Sequence, residues 1–279
     1  MKIPRFVLII GGMKCGTTSL FNYLAEHPAV CACSLKEPNF FSDNRSWERG
    51  IEWYQSLWED WHPARHKIAL EASVSYTKNH DAIPKITERI ASLDADFQFI
   101  FIARNPIERI ESHYTHGSVD GWPIAKKPLA EYVDPYLIEV SKYARQLDKF
   151  VARFPRKLLL IVDFQDIKYK RNETMEAIER FLGLDVITNP QIFNSVHNRS
   201  VGKTKFNAAG RLLSKVDRSL SWTPAPLKKL VRPLFGKTVQ GNYKLSQSQR
   251  LMVSEALKDD LLRLHDQYGV DIQQWSVGF

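Results

Sequence analysis

The chain has 279 residues, 44% apolar and 25% charged, and its 39 Lys and Arg outnumber 31 Asp and Glu for a net charge of +8. That length holds one large α/β domain or two small ones with a substantial core, and the composition excludes a disordered or fibrous protein. The basic balance favours an anionic partner, whether a charged cofactor, an acidic polymer, nucleic acid or an anionic membrane surface.

In chain order, the apolar run Phe6–Ile10 reads as a buried strand, and a glycine-bracketed turn, "GGMKCGTTSL" at 11–20, separates it from a helix over Thr18–His27. Lys67–Leu70 is a weaker strand. A helix over Pro84–Leu93 precedes a strand at Gln98–Ala103, and another over Pro106–His116 follows it. Leu137, Val140, Tyr143, Leu147 and Val151 recur at helical spacing, which predicts one helix over Tyr136–Phe154 before a strand at Leu158–Val162. A short amphipathic helix over Thr174–Leu182, capped at Asn172 or Thr174, and a final helix over about Ser246–Tyr268 complete the pattern. Strands alternating with helices predict a doubly wound α/β domain: a central parallel sheet flanked by helices, three layers α/β/α, with a P-loop-like first turn. Ligands of such sheets gather beyond the carboxyl ends of the strands. One domain over residues 1–279 is the economical expectation.

Between residues 203 and 237 Lys and Arg occur nine times against the single acid Asp217, and Pro224, Pro226 and Pro233 break the segment into short pieces. Its uses stay open: closing over a cofactor, meeting an acidic acceptor or a membrane surface, or forming a solvated basic face. Cys15, Cys31 and Cys33 are too few and too clustered for a disulfide framework, and Cys31 and Cys33 lack a second pair at metal spacing, so buried packing is expected. No apolar run approaches the ~20 residues of a membrane span. Lys2 and Arg5 before "FVLII" mimic a signal peptide, but the apolar stretch is short, no small-residue cleavage site follows and Lys14 interrupts it. A cytoplasmic protein is expected.

Three motifs carry chemistry. In the first turn Gly11, Gly12 and Gly16 let the backbone approach an anion, the helix start adds its positive end, and Thr17, Thr18 and Ser19 supply hydroxyls. A Walker A loop would close on contiguous Gly-Lys-Ser/Thr. Here Cys15-Gly16-Thr17 stands in that place, Lys14 lies two positions before Gly16, and no convincing Walker B strand ending in Asp stands out. In "ARNPIERIESHY" Arg104 sits at a strand end and Ser112 in the following helix, with Pro106 at its first turn. Arg104 offers a bidentate fork and Ser112 a neutral donor to one phosphate, though a surface ion pair is equally open for Arg104. In "SLKEPNFF" Lys36 and Glu37 precede a proline, with Phe40 and Phe41 as apolar anchors. A carboxylate held there can take a proton, or can simply pair with Lys36 at the surface.

Taken together, in this order and spacing, the motifs resemble the 3′-phosphoadenosine-5′-phosphosulfate (PAPS)-dependent sulfotransferases, most closely the heparan-sulfate-type carbohydrate branch and its bacterial relatives. "EASVSY" at 71–76, "YARQLDKFVARFP" at 143–155 and "FLGL" at 181–184 extend the resemblance over roughly residues 5–205. The resemblance implies Lys14 as the catalytic lysine, with Gly12, Lys14, Cys15, Gly16, Thr17, Thr18 and Ser19 around the 5′ end of the cofactor. It implies Arg104 and Ser112 on the 3′-phosphate, Glu37 as general base beside Lys36, and Lys203, Thr204 and Lys205 of "SVGKTKF" in a late loop over the cofactor. That loop departs from relatives where they often carry Gly-Arg and this chain has Phe206-Asn207. Other branches use histidine as base, so His113 and His116 are rivals to Glu37. Glu71, Ser73 and Tyr76 are expected to line the acceptor cleft.

What this implies is sulfuryl transfer from PAPS to a hydroxyl or amine of a carbohydrate or small metabolite, leaving adenosine 3′,5′-bisphosphate, with no metal required and no nucleic-acid partner. The reaction has a loose, in-line transition state in which positioning and charge stabilisation dominate. Lys14 and the loop amides would stabilise charge growing on the departing 5′-phosphate. A P-loop small-molecule kinase and a non-catalytic polyanion or nucleic-acid binder are the competing classes.

Overall fold

The computed structural model describes residues 2–120, 133–187, 204–206, 236–238 and 243–277. Strands β1 (Arg5–Gly11), β2 (Val30–Ala32), β3 (Ile68–Glu71), β4 (Asp96–Ala103) and β5 (Leu159–Asp163) form one parallel sheet in the order β2-β3-β1-β4-β5. The helices in chain order are α1 (Thr17–Ala25), α2 (Asn44–Glu48), α3 (Gly50–Ser56), α4 (Ser75–Lys78), α5 (Ile83–Ala91), α6 (Pro106–Asp120), α7 (Pro135–Glu139), α8 (Tyr143–Val151), α9 (Phe164–Tyr169), α10 (Arg171–Phe181) and α11 (Gln247–Tyr268). Two further strands, β6 (Thr204–Phe206) and β7 (Gly236–Thr238), pair antiparallel apart from the main sheet. No helix among the described residues is long and apolar enough to cross a membrane.

Alternation along the strands builds the layers. Phe6, Leu8 and Ile10 share one face with Phe97, Phe99 and Phe101, and bury against Tyr54 of α3, Ile86 of α5, Leu147 of α8 and Leu261 of α11. Val7 and Ile9 share the other face with Ile100 and Ile102, and bury against Leu20 of α1, Ile167 of α9 and Ile178 of α10. Both faces are covered, as an all-parallel sheet requires. The chain enters at β1, runs outward on one side and returns to β4 on the other, so a crevice opens beyond the ends of β1 and β4.

Several expectations change in detail. The three-residue β2, Val-Cys-Ala, is too short to show a period and has no counterpart among the predicted strands. The helix expected over Tyr136–Phe154 is two, α7 and α8, broken at residues 140–142. The cause is distant in sequence: Asp260 of α11 accepts hydrogen bonds from the amides of Ala144 (3.0 Å) and Arg145 (2.9 Å), capping α8 where a continuous helix would have used its own carbonyls. Helix α10 begins at Arg171, and Thr174 bonds the Lys170 carbonyl from inside it instead of capping it. Strand β5 does end in an aspartate. Asp163 accepts from Trp275 Nε1 (2.5 Å), Gln274 Nε2 (3.2 Å) and the Gln165 amide (2.7 Å), which caps α9 and ties the C-terminal segment to the sheet.

A polar cluster sits inside the core at the end of β3. Glu71 has no exposed surface, and its carboxylate accepts from Tyr54 (3.0 Å), Tyr76 (2.7 Å) and Ser73 (2.9 Å) hydroxyls. Glu71, Ser73 and Tyr76, expected to line a cleft, are all completely buried. Burial, outweighing the three donors and helped by the charge of Glu37, pushes the Glu71 carboxyl from 4.5 up to about 7. The folded state therefore holds this proton more tightly than the unfolded chain does. The resulting stabilisation is complete below about pH 4.5 and disappears as pH rises through about 7, an amount of roughly 3 kcal/mol. The difference in urea-unfolding free energy between wild type and Glu71→Gln is expected to shrink by that amount between these pH values. A difference independent of pH would contradict it.

Candidate active site

Beyond β1 the backbone stays hydrogen-bonded to β4, with the Gly12 amide donating to the Ile102 carbonyl at 2.8 Å, before it turns into α1. Space dictates the residue at the strand end: a Cβ on Gly11 would lie 2.6 Å from Thr77 Oγ1 and 2.7 Å from Phe101 Cε2. Conformation dictates the one at the helix start. Gly16 has φ +90°, and a Cβ there would also meet the Phe164 ring at 2.8 Å. Lys14 is left-handed too, at φ 66°. The amides of Thr17 and Thr18 begin α1 with no preceding turn of carbonyls to accept from them, which is the standing vacancy of a helix N-terminus and suits an anion.

The second motif meets the first directly. Arg104 Nη1 donates to the Lys14 carbonyl at 3.0 Å, while Nε and Nη2 reach Glu108 Oε2 at 3.3 and 3.1 Å. Its guanidinium lies 4.5 Å from the centre of the Phe164 ring, the same ring that backs Gly16. Tyr143 OH donates to the Arg104 carbonyl at 2.9 Å and lies 3.8 Å from Cys15 Sγ, so one buried phenol braces both turns. Asn105 caps α6, accepting from the Ile107 amide at 2.9 Å, and donates to the Trp275 carbonyl. Glu108 and Ser112 share a helix face one turn apart, about 6 Å along the axis, so Ser112 follows Arg104 along the same stripe.

The field here is positive. Arg109 is completely buried; Nε donates to Ser141 Oγ (2.8 Å) and Nη2 to the Leu137 carbonyl (2.6 Å), both neutral, and Nη1 has no hydrogen-bond partner among the described residues. Burial pushes the His113 imidazole down to about 3, with Arg109, Lys14, His116 and Lys78 adding to the shift in that order. His113 is thus neutral and a weak base. Cys15, also fully buried, is pushed up to about 11 by burial and stays a thiol.

The third motif approaches from the β3 side. The Lys36 carbonyl accepts from the Ala72 amide at 3.1 Å, and Lys36 Nζ pairs with Glu37 Oε1 at 2.8 Å, with the Glu37 side chain 41% exposed. Phe40 stacks on Tyr54 with ring centres 4.3 Å apart, anchoring the segment in the core. Helix α4 fills the space between this motif and the loop, since Thr77 Oγ1 donates to the Ile10 carbonyl at 2.8 Å. The half-buried Lys78 beside Thr77 is a cation of the site that the sequence reading passed over. Its signal was a lysine within one turn of a strand-following helix.

Of the expected cofactor residues, the structure brings Gly12, Lys14, Cys15, Gly16, Thr17, Thr18, Ser19 and Arg104 to one end of the sheet, and Ser112 lies in α6, which starts two residues after Arg104. Lys203 lies outside the described residues. Thr204 and Lys205 are in β6, which runs beside α6.

Similarity extends to human bifunctional heparan sulfate N-deacetylase/N-sulfotransferase 2, 28% identical over 207 residues that cover 67% of this chain and 23% of that protein. The chain therefore spans about a quarter of the length of the first such relatives. It also extends to mouse heparan sulfate glucosamine 3-O-sulfotransferase 5, 27% identical over 269 residues, 86% of this chain and 72% of that one. The crystal structure of a sulfotransferase from Alicyclobacillus acidocaldarius superposes over 99% of both chains with a TM-score of 0.65 at 20% identity, and so shares the fold. The sulfotransferase domain profile matches residues 4–221, and with most of its length so matched the chain belongs to the sulfotransferase domain family.

Proposed function

We propose that the chain acts as one sulfotransferase domain over residues 1–279, transferring a sulfuryl group from PAPS to a hydroxyl or amine of a carbohydrate acceptor. The observation that carries this is the Arg104–Lys14 carbonyl hydrogen bond, which joins the loop suited to a 5′-phosphosulfate to the turn suited to a 3′-phosphate. The donor set fits a molecule with two anionic ends: helix-start amides and Lys14 for one, Arg104 and Ser112 for the other. The buried guanidinium of Arg109, whose charge acts on Cys15 of the loop and on His113 of α6, adds fixed positive charge. PAPS would supply the activated sulfuryl group. Three buried free thiols fit the cytoplasmic setting that goes with this proposal. The acceptor class rests on the two heparan sulfate relatives.

Each residue then has a physical task. Loop amides and the hydroxyls of Thr17, Thr18 and Ser19 orient the 5′-phosphate, and Lys14 neutralises charge as the bridging oxygen departs. Arg104 and Ser112 fix the other end, so that the in-line geometry is set before the acceptor arrives. Glu37 takes the acceptor proton. Its exposure lets it meet an acceptor, whereas His113 is enclosed by cations and holds protons weakly. The β6–β7 pair beside α6 supports a covering role for the Lys203–Lys205 segment.

Incubation with sulfur-labelled PAPS and a panel of acceptors that includes a chemically desulfated heparan oligosaccharide is expected to give labelled sugar. Turnover of ATP in its place would overturn the proposal. Lys14→Ala is expected to lower kcat about 100- to 1,000-fold with little change in binding of adenosine 3′,5′-bisphosphate, as for loss of a donor to developing charge. Arg104→Ala is expected to weaken bisphosphate binding about 10- to 100-fold by calorimetry, the worth of one charged hydrogen-bonding group. Unchanged affinity would remove Arg104 from the 3′-phosphate site.

A further inference from the structure

Glu37 stands at the surface, yet a proton acceptor works only when its oxygen is held within a few tenths of an ångström of its task. Among the described residues its side chain pairs only with its neighbour Lys36, so what sets its position is the backbone around it. That backbone is unusually constrained. Pro38 fixes one torsion and disfavours a helical Glu37. Asn39 is left-handed, at φ 53°, a conformation uncommon outside glycine that Asn adopts more readily than most residues and that hydrogen bonds can fix.

The enforcement comes from the core. The Asn39 amide donates to Ser73 Oγ at 3.2 Å, Asn39 Oδ1 accepts from Ser75 Oγ at 2.5 Å, and Asn39 Nδ2 donates to the Glu37 carbonyl at 2.9 Å. The Ser73 hydroxyl in turn donates to Glu71 Oε2 at 2.9 Å, which leaves its lone pairs toward the Asn39 amide. Glu71 Oε1 is held from the far side by Tyr54 of α3 and Tyr76 of α4. An unbroken chain of hydrogen bonds thus runs from a completely buried carboxylate to the carbonyl of Glu37 itself. Among the described residues every hydrogen bond to the Glu71 carboxylate comes from a hydroxyl, and the like charge of Glu37 acts on it unfavourably. A buried carboxylate so placed costs stability, which hydrophobic residues of its size would avoid.

We infer that Glu71 is the positioning residue for Glu37: it orients Ser73, Ser73 holds the Asn39 turn, and that turn presents the Glu37 carboxylate to the acceptor. The inference rests on Glu37 being the base. A glutamine at 71 keeps the shape but puts a donor where hydroxyls need an acceptor, so one of the three must turn away.

The test is a cycle of Glu71→Gln and Glu37→Gln in the full chain, read with PAPS and the desulfated heparan oligosaccharide. Glu71→Gln alone is expected to lower kcat about 10- to 100-fold, with bisphosphate affinity and KM for PAPS within about twofold of wild type. In the Glu37→Gln background the same change is expected to have an effect of less than about twofold, because there is no longer a base to position. Ser73→Ala should follow the same non-additive pattern with a smaller loss, and Ser73→Thr, which restores the hydroxyl, should recover most of it. These two provide the answer if Glu71→Gln does not fold. Equal losses from Glu71→Gln or Ser73→Ala in both backgrounds would overturn the inference, as would full kcat in either variant. Full activity of Glu37→Gln by itself would instead overturn the assignment of the base.

Discussion

The hydrogen bond from Arg104 to the Lys14 carbonyl depends on β1 and β4 ending side by side, and most of the site depends on that bond. Parallel strands deliver all their carboxyl ends to one edge of the sheet, and the crossing from β3 over β1 to β4 leaves a gap between the two turns. The turns are close enough to share partners. Phe164 backs both Gly16 and Arg104, and Tyr143 braces both Cys15 and the Arg104 carbonyl. The C-terminal segment joins in through Trp275, which meets Asn105 on one turn and Asp163 at the end of β5. A site of this kind is rigid because its walls are core side chains, whose packing tolerates little displacement.

Around this frame Arg104 is paired with Glu108 and Lys36 with Glu37. Cations gather over the ends of β1 and β4, while the carboxylates Glu37 and Glu71 lie on the β3 side with α4 between. Glu71 and His113 shift in opposite senses because burial disfavours the charged form of each, raising a carboxyl and lowering an imidazole, and the neighbouring charges add to both shifts.

Much of the fold is legible in the sequence because it is written locally. Phe6–Ile10, Gln98–Ala103 and Leu158–Val162 are apolar runs of strand length, and Gly11, Gly12 and Gly16 mark a tight turn wherever they occur. What is not legible comes from partners far along the chain. The break at 140–142 is made by Asp260, more than a hundred residues on, and nothing between Tyr136 and Phe154 announces it. Glu71 looks like a strand-end carboxylate bound for solvent; only the arrival of Tyr54 and Tyr76 buries it. The role of Asp163 is similarly hidden, since its partner Trp275 lies 112 residues further along the chain. The grouping of Lys14 with Arg104 lies between these cases, because each motif is local but their meeting is a property of the sheet order.

Arg109 carries a consequence for how the protein responds to its medium. Dissolved ions screen exposed charges over about 8 Å at physiological ionic strength, but they do not enter the packed interior where this guanidinium lies. Its pull on any anion brought to the loop would therefore persist at salt concentrations that strip polyanions from an ordinary basic surface. A plot of affinity against salt would count the solvated cations and pass over this one. Two classes of positive charge thus coexist in one crevice, one tuned by the ionic surroundings and one indifferent to them.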